Sequence, residues 1–455
     1  MEVQLADGSK VACENQPFAE GGDGILYLAL DGQHVIKLYK HAEPWRRQVT
    51  EAILNQYNAV KEHRYWEPLF AWPNAVVLTP RLGIQMNKIV DQQPLANFVN
   101  YKYRMQRLTP AERGTWQGYV AGAIKVARLM RRLHNLGLCH SDLSENNIFI
   151  NPTTGQVTLL DCDCLVVPGF LPAIVAGTKG YMAPELIDGL LQGKAIKPSI
   201  QTDLHALAVI LYRMLLILDP LRGPKQHHPD SALDDLLMYG AEALFIEHPT
   251  DQSNRPRMTL PSIALLGPDM QKLLLQAFVD GLHNPERRPS AAMWERELLR
   301  MYDRIVPCEN PDCEFKAFVL LEQPQCPWCG TKLSHPPTLP LLQLYRKVGK
   351  SWARDGNYTI AGNSGRTLHL WHTNPAKTPG PETDNTALAH IHYELTTDTW
   401  YLVNHTLNTL QVVSSPTGSQ SVAPQARIAL SDGQQILFGD PDSSRVAFVQ
   451  FQRVV

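Results

Sequence analysis

The most constraining feature of the sequence is the polar segment 140–147, which contains Asp142 and Asn147 and is followed by an apolar run. A second carboxylate, Asp161, comes directly after the strand-like segment 157–160. Phosphoryl transfer uses such a set, because one carboxylate orients the attacking hydroxyl while an amide and a carboxylate hold Mg²⁺ on the nucleotide phosphates. The alternative is a turn rich in Asx and Ser side chains that bond their own backbone.

This pattern resembles the catalytic centre of the protein kinases. Asp142 stands in the place of the catalytic-loop aspartate, Asn147 in that of its asparagine, and Asp161 in that of the aspartate of the D-F-G motif. The resemblance implies a two-lobed α+β fold that binds ATP with Mg²⁺ or Mn²⁺. It also implies transfer of phosphate to a Ser or Thr hydroxyl of a protein substrate.

A glycine-rich hairpin near the N-terminus agrees with this interpretation. Glycines allow the backbone to approach phosphates closely, and Lys37, at the end of the next strand-like segment, can reach phosphate oxygens. The segment resembles the kinase glycine-rich loop followed by the V-A-I-K motif. The ATP-binding residues that this resemblance implies are Gly21, Gly22, Gly24, Leu26 and Lys37.

Two further residues complete the predicted nucleotide site. Pro44 suits the first position of a helix, and apolar residues recur after it with helical spacing. Glu51 on this helix is predicted to pair with Lys37, and a solvated surface glutamate is the alternative. Met86 lies in the segment 84–89, which resembles the hinge between kinase lobes, and is predicted to face the adenine.

Later segments supply the structural residues of the resemblance. The segment 177–185 resembles the G-T-x-x-Y-x-A-P-E end of a kinase activation segment and ends at Glu185. The resemblance implies that Arg288 pairs with Glu185. It also implies that Asp203, which opens an apolar helix, braces the catalytic loop.

Three positions depart from the kinase pattern. Ser141 replaces the arginine that pairs with a phosphorylated activation loop, and residues 164–177 contain no Ser, Thr or Tyr. We therefore expect a non-RD kinase that is not activated by phosphate on this loop. Ser144 replaces a lysine that stabilises the transferring phosphoryl group. Asp163 replaces the glycine of D-F-G and either helps to bind metal or disturbs the loop. The alternative function is a nucleotide-binding pseudokinase scaffold.

The kinase-like domain is predicted over residues 1–303, with a small lobe at about 1–86 and a large lobe at about 87–303. Within it, the segment 245–256 resembles bacterial kinase-like proteins linked to tellurite-resistance and phosphatase gene clusters. That resemblance implies a phosphatase or another protein of such a cluster as a partner.

Four cysteines lie close together after this domain. Cys308, Cys313, Cys326 and Cys329 form two pairs whose spacing is typical of a zinc ribbon, in which four thiolates bind Zn²⁺ tetrahedrally. The predicted ribbon, 304–333, is too short for a core of its own, so zinc would supply its folding free energy. Four unrelated buried thiols are the alternative.

After a predicted linker at 334–342, short alternating segments predict a β-sandwich over 343–455. The segments 432–439 and 389–391 resemble a forkhead-associated (FHA) domain, which reads phosphothreonine on its apical loops. The arginine of that pocket is not evident, and Arg366 is the nearest substitute. We expect this FHA-like module to bind a protein, or its own kinase domain, by surface complementarity.

Composition limits the class of protein. A chain of 455 residues with 44% hydrophobic and 19% charged residues predicts a globular protein of several domains. Its net charge of −2 gives no reason to expect nucleic acid or a membrane as partner. No signal peptide is evident, the apolar run 206–218 is too short to span a bilayer, and the eight cysteines show no disulfide framework, which favours the reducing cytoplasm.

Overall fold

The computed structural model describes residues 1–41, 43–167, 177–194, 196–257, 261–380, 386–414 and 418–454. The chain forms two compact units. The first contains Met1–Ala264 and Met270–Leu298, and the second contains Leu265–Asp269 and Leu299–Val455. Among the described helices, none combines the length and the hydropathy that a membrane span requires.

A seven-stranded antiparallel sheet forms the N-terminal part of the first unit. Its spatial order is β2-β1-β6-β7-β5-β4-β3. On β5, Ile36 and Leu38 join a small buried apolar cluster with Val3 and Val77, whereas Lys37 between them points to the other face. The strands are β1 Glu2–Leu5, β2 Lys10–Ala12, β3 Ala19–Glu20, β4 Gly24–Leu28, β5 His34–Tyr39, β6 Pro73–Thr79 and β7 Gly83–Asn87.

Helices dominate the rest of this unit, together with a three-stranded sheet of order β10-β9-β8. The strands are β8 Gln93–Pro94, β9 Ile148–Asn151 and β10 Gln156–Leu159. The helices are α1 Pro44–Asn55, α2 Ala96–Val99, α3 Tyr101–Arg107, α4 Trp116–Asn135, α5 Pro184–Leu191, α6 Ile200–Leu216, α7 Ser231–Tyr239, α8 Pro268–Leu275 and α9 Ala291–Tyr302. Helix α6 is apolar on nearly all sides and is buried accordingly, packed against α4.

The second unit is mostly β-structure. Strands β11 Ile305–Pro307 and β12 Ala317–Val319 form an antiparallel pair. The remaining strands form two sheets. One has six strands in the order β14-β13-β22-β21-β18-β19, and the other has four in the order β15-β16-β17-β20. These strands are β13 Thr338–Val348, β14 Ser351–Ala361, β15 Thr367–Leu368, β16 Ala389–Glu394, β17 Thr399–Asn404, β18 Gln411–Ser414, β19 Gly418–Ser421, β20 Arg427–Ala429, β21 Gln435–Leu437 and β22 Val446–Arg453, with a short helix α10 Leu370–Thr373.

The cysteine-containing segment and the sheets share one buried apolar cluster. Phe318 and Cys326 belong to the same cluster as Leu342 and Ile360 of β13 and β14. The predicted linker, 334–342, overlaps β13, because its apolar residues are buried between the neighbouring strands β14 and β22. The segment 304–333 therefore does not depend on a core of its own.

Candidate active site

The hairpin of β9 and β10 brings two of the predicted site residues to the same end. Strand β9 begins directly after Asn147, and β10 ends shortly before Asp161. Ile148 pairs with Leu159, and the amide of Leu160 donates to the carbonyl of Asn147 at 2.9 Å. Residues that are distant along the chain thus meet because the strands between them pair.

The backbone before Asp142 is held by Asp203. Ser199 caps helix α6, so that Asp203 lies in the first turn of the helix, where it is almost fully buried. Its carboxylate accepts from the amide of His140 at 2.7 Å and from that of Ser141 at 3.1 Å. Ser141 has a φ of 64°, an uncommon conformation for a residue with a side chain, and these bonds hold it there. The structure therefore brings Asp203 to the loop that it was predicted to brace.

Contacts at both carboxylate oxygens orient the side chain of Asp142. Asn147 Nδ2 donates to the Asp142 carbonyl at 2.8 Å and lies 3.3 Å from Oδ2. Oδ1 accepts from the amide of Thr178 at 2.8 Å and from its hydroxyl at 2.9 Å. A carboxylate in this position can accept a hydrogen bond from a hydroxyl group, which is the geometry that a phosphate acceptor requires.

Three carboxylates surround the ammonium of Lys37. Its Nζ lies 3.1 Å from Asp161 Oδ1, 3.4 Å from Asp23 Oδ2, and 3.0 and 3.2 Å from the two oxygens of Asp163. Lys37 and Asp163 are both buried, whereas the side chains of Asp161 and Asp23 are 45% and 34% exposed. The site therefore combines one buried cation with an excess of negative charge.

These neighbours decide the charge of Lys37. Burial alone would lower the pKa of its ammonium, but the carboxylates of Asp163 and Asp161 raise that pKa well above the usual value for lysine. The lysine therefore stays charged and can bind an anion such as a phosphate group.

The predicted nucleotide-binding residues share one face of the N-terminal sheet. Leu26 pairs with Lys37 across β4 and β5, and Met86 lies two residues from Ile84, the partner of Lys37 on β7. Because side chains alternate along a strand, Leu26, Lys37 and Met86 point to the same side.

The three glycines of the loop differ in their surroundings. A Cβ at Gly24 would lie 3.0 Å from Lys37 Cγ, which favours glycine there. A Cβ at Gly21 or Gly22 would meet no described atom within 4 Å. Any requirement for glycine at these two positions therefore comes from a bound ligand or from backbone freedom.

Arg288 and Glu185 form the ion pair that the sequence predicts. Arg288 Nη1 and Nη2 donate to the two oxygens of Glu185, each at 2.7 Å, and the Arg288 side chain is almost fully buried. The guanidinium also donates to the carbonyls of Gly281, Leu282 and Gln201. Its donors are thus shared between a carboxylate and backbone carbonyls of helix α6 and of the segment that precedes Arg288.

Comparisons with known proteins show what this region is similar to. Residues 89–296 match the protein kinase domain. Over these residues the chain is similar to the protein kinases. The match falls within the predicted large lobe and supports a kinase-like α+β fold.

Similar proteins include three serine/threonine-protein kinases. PknD of Chlamydia abortus is 32% identical over 130 residues, 23% of this chain and 13% of that protein. For pkn3 of Myxococcus xanthus the identity is 28% over 182 residues, 38% of this chain and 29% of that protein. ArnS of Sulfolobus acidocaldarius is 32% identical over 116 residues, 22% of this chain and 18% of that protein. The matched stretch thus spans less than a third of each of these relatives.

The structure corrects one predicted pair of the kinase domain. Glu51 lies on α1 as predicted, but its carboxylate accepts from Arg47 Nε at 2.8 Å and is 43% exposed. The residue of α1 that turns toward the glycine-rich loop is Arg46, whose Nη1 donates to Asp23 at 3.0 Å. Within the described contacts, Lys37 and Glu51 are therefore not brought together, and Asp163 takes the place of Glu51 beside the lysine.

Sequence reasoning missed three residues of the kinase site. Asp23 sits among the loop glycines, and an acidic residue in a predicted phosphate loop was the available signal. Thr178 was visible as part of the activation-segment motif, but its bond to Asp142 was not. Arg213 donates to Glu145 of the catalytic loop and to Asp219, each at 2.7 Å, and nothing in the sequence pattern marked it.

The prediction for the activation segment, 164–177, lies mostly outside the described residues, which omit 168–176.

The four cysteines of the second unit converge. Their Sγ atoms all lie within 4.8 Å of one another, with Cys308 and Cys329 3.5 Å apart and Cys313 and Cys326 3.8 Å apart. Metal–sulfur bonds of about 2.3 Å in a tetrahedron place the sulfurs about 3.8 Å apart, so the arrangement fits a Zn²⁺ ion. Burial raises the pKa of Cys308 to about 11. Burial would raise the pKa of the Cys329 thiol as well, but hydrogen bonds, of which those with Thr331 have the largest effect, lower this pKa to about 6.

Arg366, the substitute for a phosphate-binding arginine, is engaged inside the second unit. Its side chain is buried, Nη2 donates to the carbonyl of Ile305 at 2.6 Å, and the guanidinium lies over the ring of Tyr302. The nearby hydroxyl of Ser364 accepts from the amide of Tyr393 at 3.2 Å. Arg366 therefore serves internal packing.

Proposed function

We propose that the protein is an ATP- and Mg²⁺-dependent kinase that phosphorylates Ser or Thr residues of a protein substrate. The observation that supports this most is the convergence of Asp142, Asn147 and Asp161 at one end of the β9–β10 hairpin, with Lys37 at 3.1 Å from Asp161. These residue types perform phosphoryl transfer in protein kinases by positioning and by charge stabilisation.

Each side chain has a defined task in this proposal. The Asp142 carboxylate orients the substrate hydroxyl and accepts its proton. Asn147 donates through Nδ2, which leaves its oxygen to bind a cation together with the exposed Asp161 carboxylate. Mg²⁺, when bound, neutralises the nucleotide phosphates, and Lys37 contacts their oxygens. Ser144 is fully buried and carries no charge, so the position of the kinase lysine supplies no cation for the transferring group.

We further propose that activity does not require phosphate on the activation segment. Ser141 engages Asp203 through its backbone, and its hydroxyl cannot replace an arginine as a phosphate ligand. Thr178 is occupied by Asp142, with which a phosphate at this position would clash electrostatically. Mass spectrometry of active protein is expected to find Thr178 unmodified, and activity that depended on phosphorylated Thr178 would contradict the proposal.

Radioactive phosphate transfer from ATP, with Mg²⁺ or Mn²⁺, tests the proposed activity. Wild type should label itself or a general protein substrate, and Asp142→Asn should reduce the rate by about 10²- to 10⁴-fold, because the proton acceptor is lost. Ser144 is the observation that favours the second candidate, a nucleotide-binding pseudokinase scaffold. Equal, background-level labelling of both proteins, with ATP still bound, would establish that candidate instead.

For the second unit we propose one structural Zn²⁺ held by Cys308, Cys313, Cys326 and Cys329, in a reducing compartment that keeps the thiols available. The β-sandwich would act as an FHA-like module that binds a partner protein through its surface, since Arg366 is not free to bind phosphate. A phosphatase or another protein of the same gene cluster is the proposed partner. This last proposal rests on the resemblance of 245–256, whose Phe245 and Asn254 pack inside the kinase domain.

A further inference from the structure

Of the three carboxylates around Lys37, the one from Asp163 makes the most extensive contact. Both of its oxygens lie within 3.2 Å of Nζ, and its side chain is 2% exposed. Asp161 and Asp23 each approach with one oxygen and remain open to solvent. Solvent screens an ion pair between buried groups far less than an exposed pair. Of the three carboxylates, that of Asp163 therefore attracts the Lys37 ammonium most strongly.

Among the described contacts, helix α1 provides no carboxylate for Lys37. Glu51 is turned toward Arg47 on the solvent side. The inward-turned charged residue is Arg46, which binds Asp23 and lies over the ring of Tyr39 at 4.7 Å. A guanidinium cannot pair with an ammonium, so α1 cannot anchor the lysine from this position.

The local backbone explains how Asp163 reaches Lys37. Asp161 has a left-handed conformation with φ of 53°, and the 3₁₀ turn Cys162–Cys164 follows it. Cys162 is completely buried, and its thiol lies 3.5 Å from the carbonyl of Leu159. With Cys162 fixed inward, the residues on either side of it both direct their carboxylates at the same ammonium.

We infer that Asp163 is a positioning residue that anchors Lys37 for the nucleotide, in the role expected of Glu51. The inference rests on the proposed function, because it concerns the residue that holds the phosphate-binding lysine. One short segment then supplies both the metal ligand, Asp161, and the anchor of the lysine. Both groups thus come from the turn that follows β10 rather than from helix α1.

A double-mutant cycle on the full chain tests the pair without any nucleotide. Asp163→Asn removes the buried carboxylate beside Lys37, and Lys37→Met leaves the buried Asp163 carboxylate without the ammonium. Each variant should therefore lower the melting temperature, by about 5 °C or more for a domain of this size. The melting temperature of the double variant should fall by clearly less than the sum of the two single losses, because both charges are gone. Glu51→Gln is the matched control on α1, and its effect should simply add to that of Lys37→Met. Additive losses for Asp163→Asn and Lys37→Met would overturn the inference.

Calorimetric titration with ATP and Mg²⁺ supplies a readout that a purely structural residue would not move. Asp163→Asn should weaken ATP binding by about tenfold or more and lower kcat by up to about 100-fold, because a misplaced lysine meets the phosphates poorly. In the Lys37→Met background, Asp163→Asn should change ATP affinity by less than about twofold. Unchanged or tighter binding in Asp163→Asn, or an equal loss in Glu51→Gln, would contradict the anchor role. A wild type that shows the coupling but transfers no phosphate would refute the proposed activity alone.

Discussion

The charged cluster around Lys37 and the thiol cluster of Cys308, Cys313, Cys326 and Cys329 are built in opposite ways. The thiols come from one short stretch of sequence and surround a space that fits a metal ion. The charged cluster joins residues from distant parts of the chain, and its central cation is already paired with carboxylates. Binding of a metal to the thiol cluster should therefore stabilise the folded chain. Binding of a nucleotide at the charged cluster should instead affect the rate of phosphate transfer.

Removing one thiol should have the largest effect, and it should fall on folding. Cys326→Ser is expected to abolish bound zinc, measured as one ion per chain in wild type, because three ligands no longer close the site. Structural zinc contributes about 10 kcal/mol or more to small metal-bound folds, so the second unit should unfold at a clearly lower temperature. Phosphate transfer to a general substrate should persist.

Cys13→Ser is the control for metal content, since Cys13 is buried in the first unit, apart from the thiol cluster. Elemental analysis that finds no zinc in wild type, or unchanged zinc and melting in Cys326→Ser, would break the contrast between the two clusters.

Removing a proposed metal ligand of the candidate active site should instead affect chemistry. Asp161→Ala and Asn147→Ala are each expected to reduce phosphate transfer by about 10²- to 10³-fold, because developing charge on the phosphates is no longer neutralised. Melting of the Asp161→Ala protein should change little, since that side chain is 45% exposed. Steady-state kinetics and calorimetry measure the two effects separately.

Asn146→Ala serves as the matched control in the same loop, because Asn146 is exposed and should affect the rate by less than about twofold. Near-wild-type transfer in a folded Asp161→Ala protein would remove this residue from the site.

The Glu185–Arg288 pair gives a reference for a buried charge that binds no ligand. Arg288→Ala should destabilise the first unit by about 3–5 kcal/mol, because Glu185 loses its partner and several carbonyls lose a donor. Denaturant unfolding measures this, with the exposed pair of Arg47 and Glu51 as the comparison. Arg47→Ala should cost less than about 1 kcal/mol. Similar losses in both variants would show that burial does not distinguish these pairs.

The smallest expected effect concerns the proposed FHA-like module. Phosphothreonine peptides should bind the full chain no more tightly than the same peptides without phosphate, because the guanidinium of Arg366 is committed to Ile305 and Tyr302. Fluorescence anisotropy with a peptide library measures the difference. A phosphate-dependent gain that disappears in Arg366→Ala would show that the arginine can leave its internal partners.

Sequence spacing predicted the parts of the sites whose geometry follows from local structure. The thiol cluster was visible because its residues lie in two close pairs. Asn147 and Asp161 were visible from their spacing in the kinase resemblance, and the β9–β10 hairpin joins them. Asp203 and Arg288 followed from order along the chain in the kinase resemblance. In each case a motif or its order along the chain implies the contact.

The partner of Lys37 could not be predicted in this way. Glu51 and Asp163 are both acidic and both distant from Lys37 in the sequence, and the choice between them depends on the rotation of α1 and on the backbone at Asp161. The same holds for the linker: prolines in 334–342 indicated a spacer, whereas burial of Leu339 and Leu342 makes most of it a strand. Long-range packing decided both outcomes.

The shared core of the second unit also limits how this chain can be divided and recombined. A break within 334–342 would separate Phe318 and Cys326 from Leu342 and Ile360, with which they form one buried cluster. Each fragment would then expose apolar surface that it cannot cover alone. We therefore expect the cysteine segment and the β-sheets of the second unit to fold only when they are kept together in one fragment.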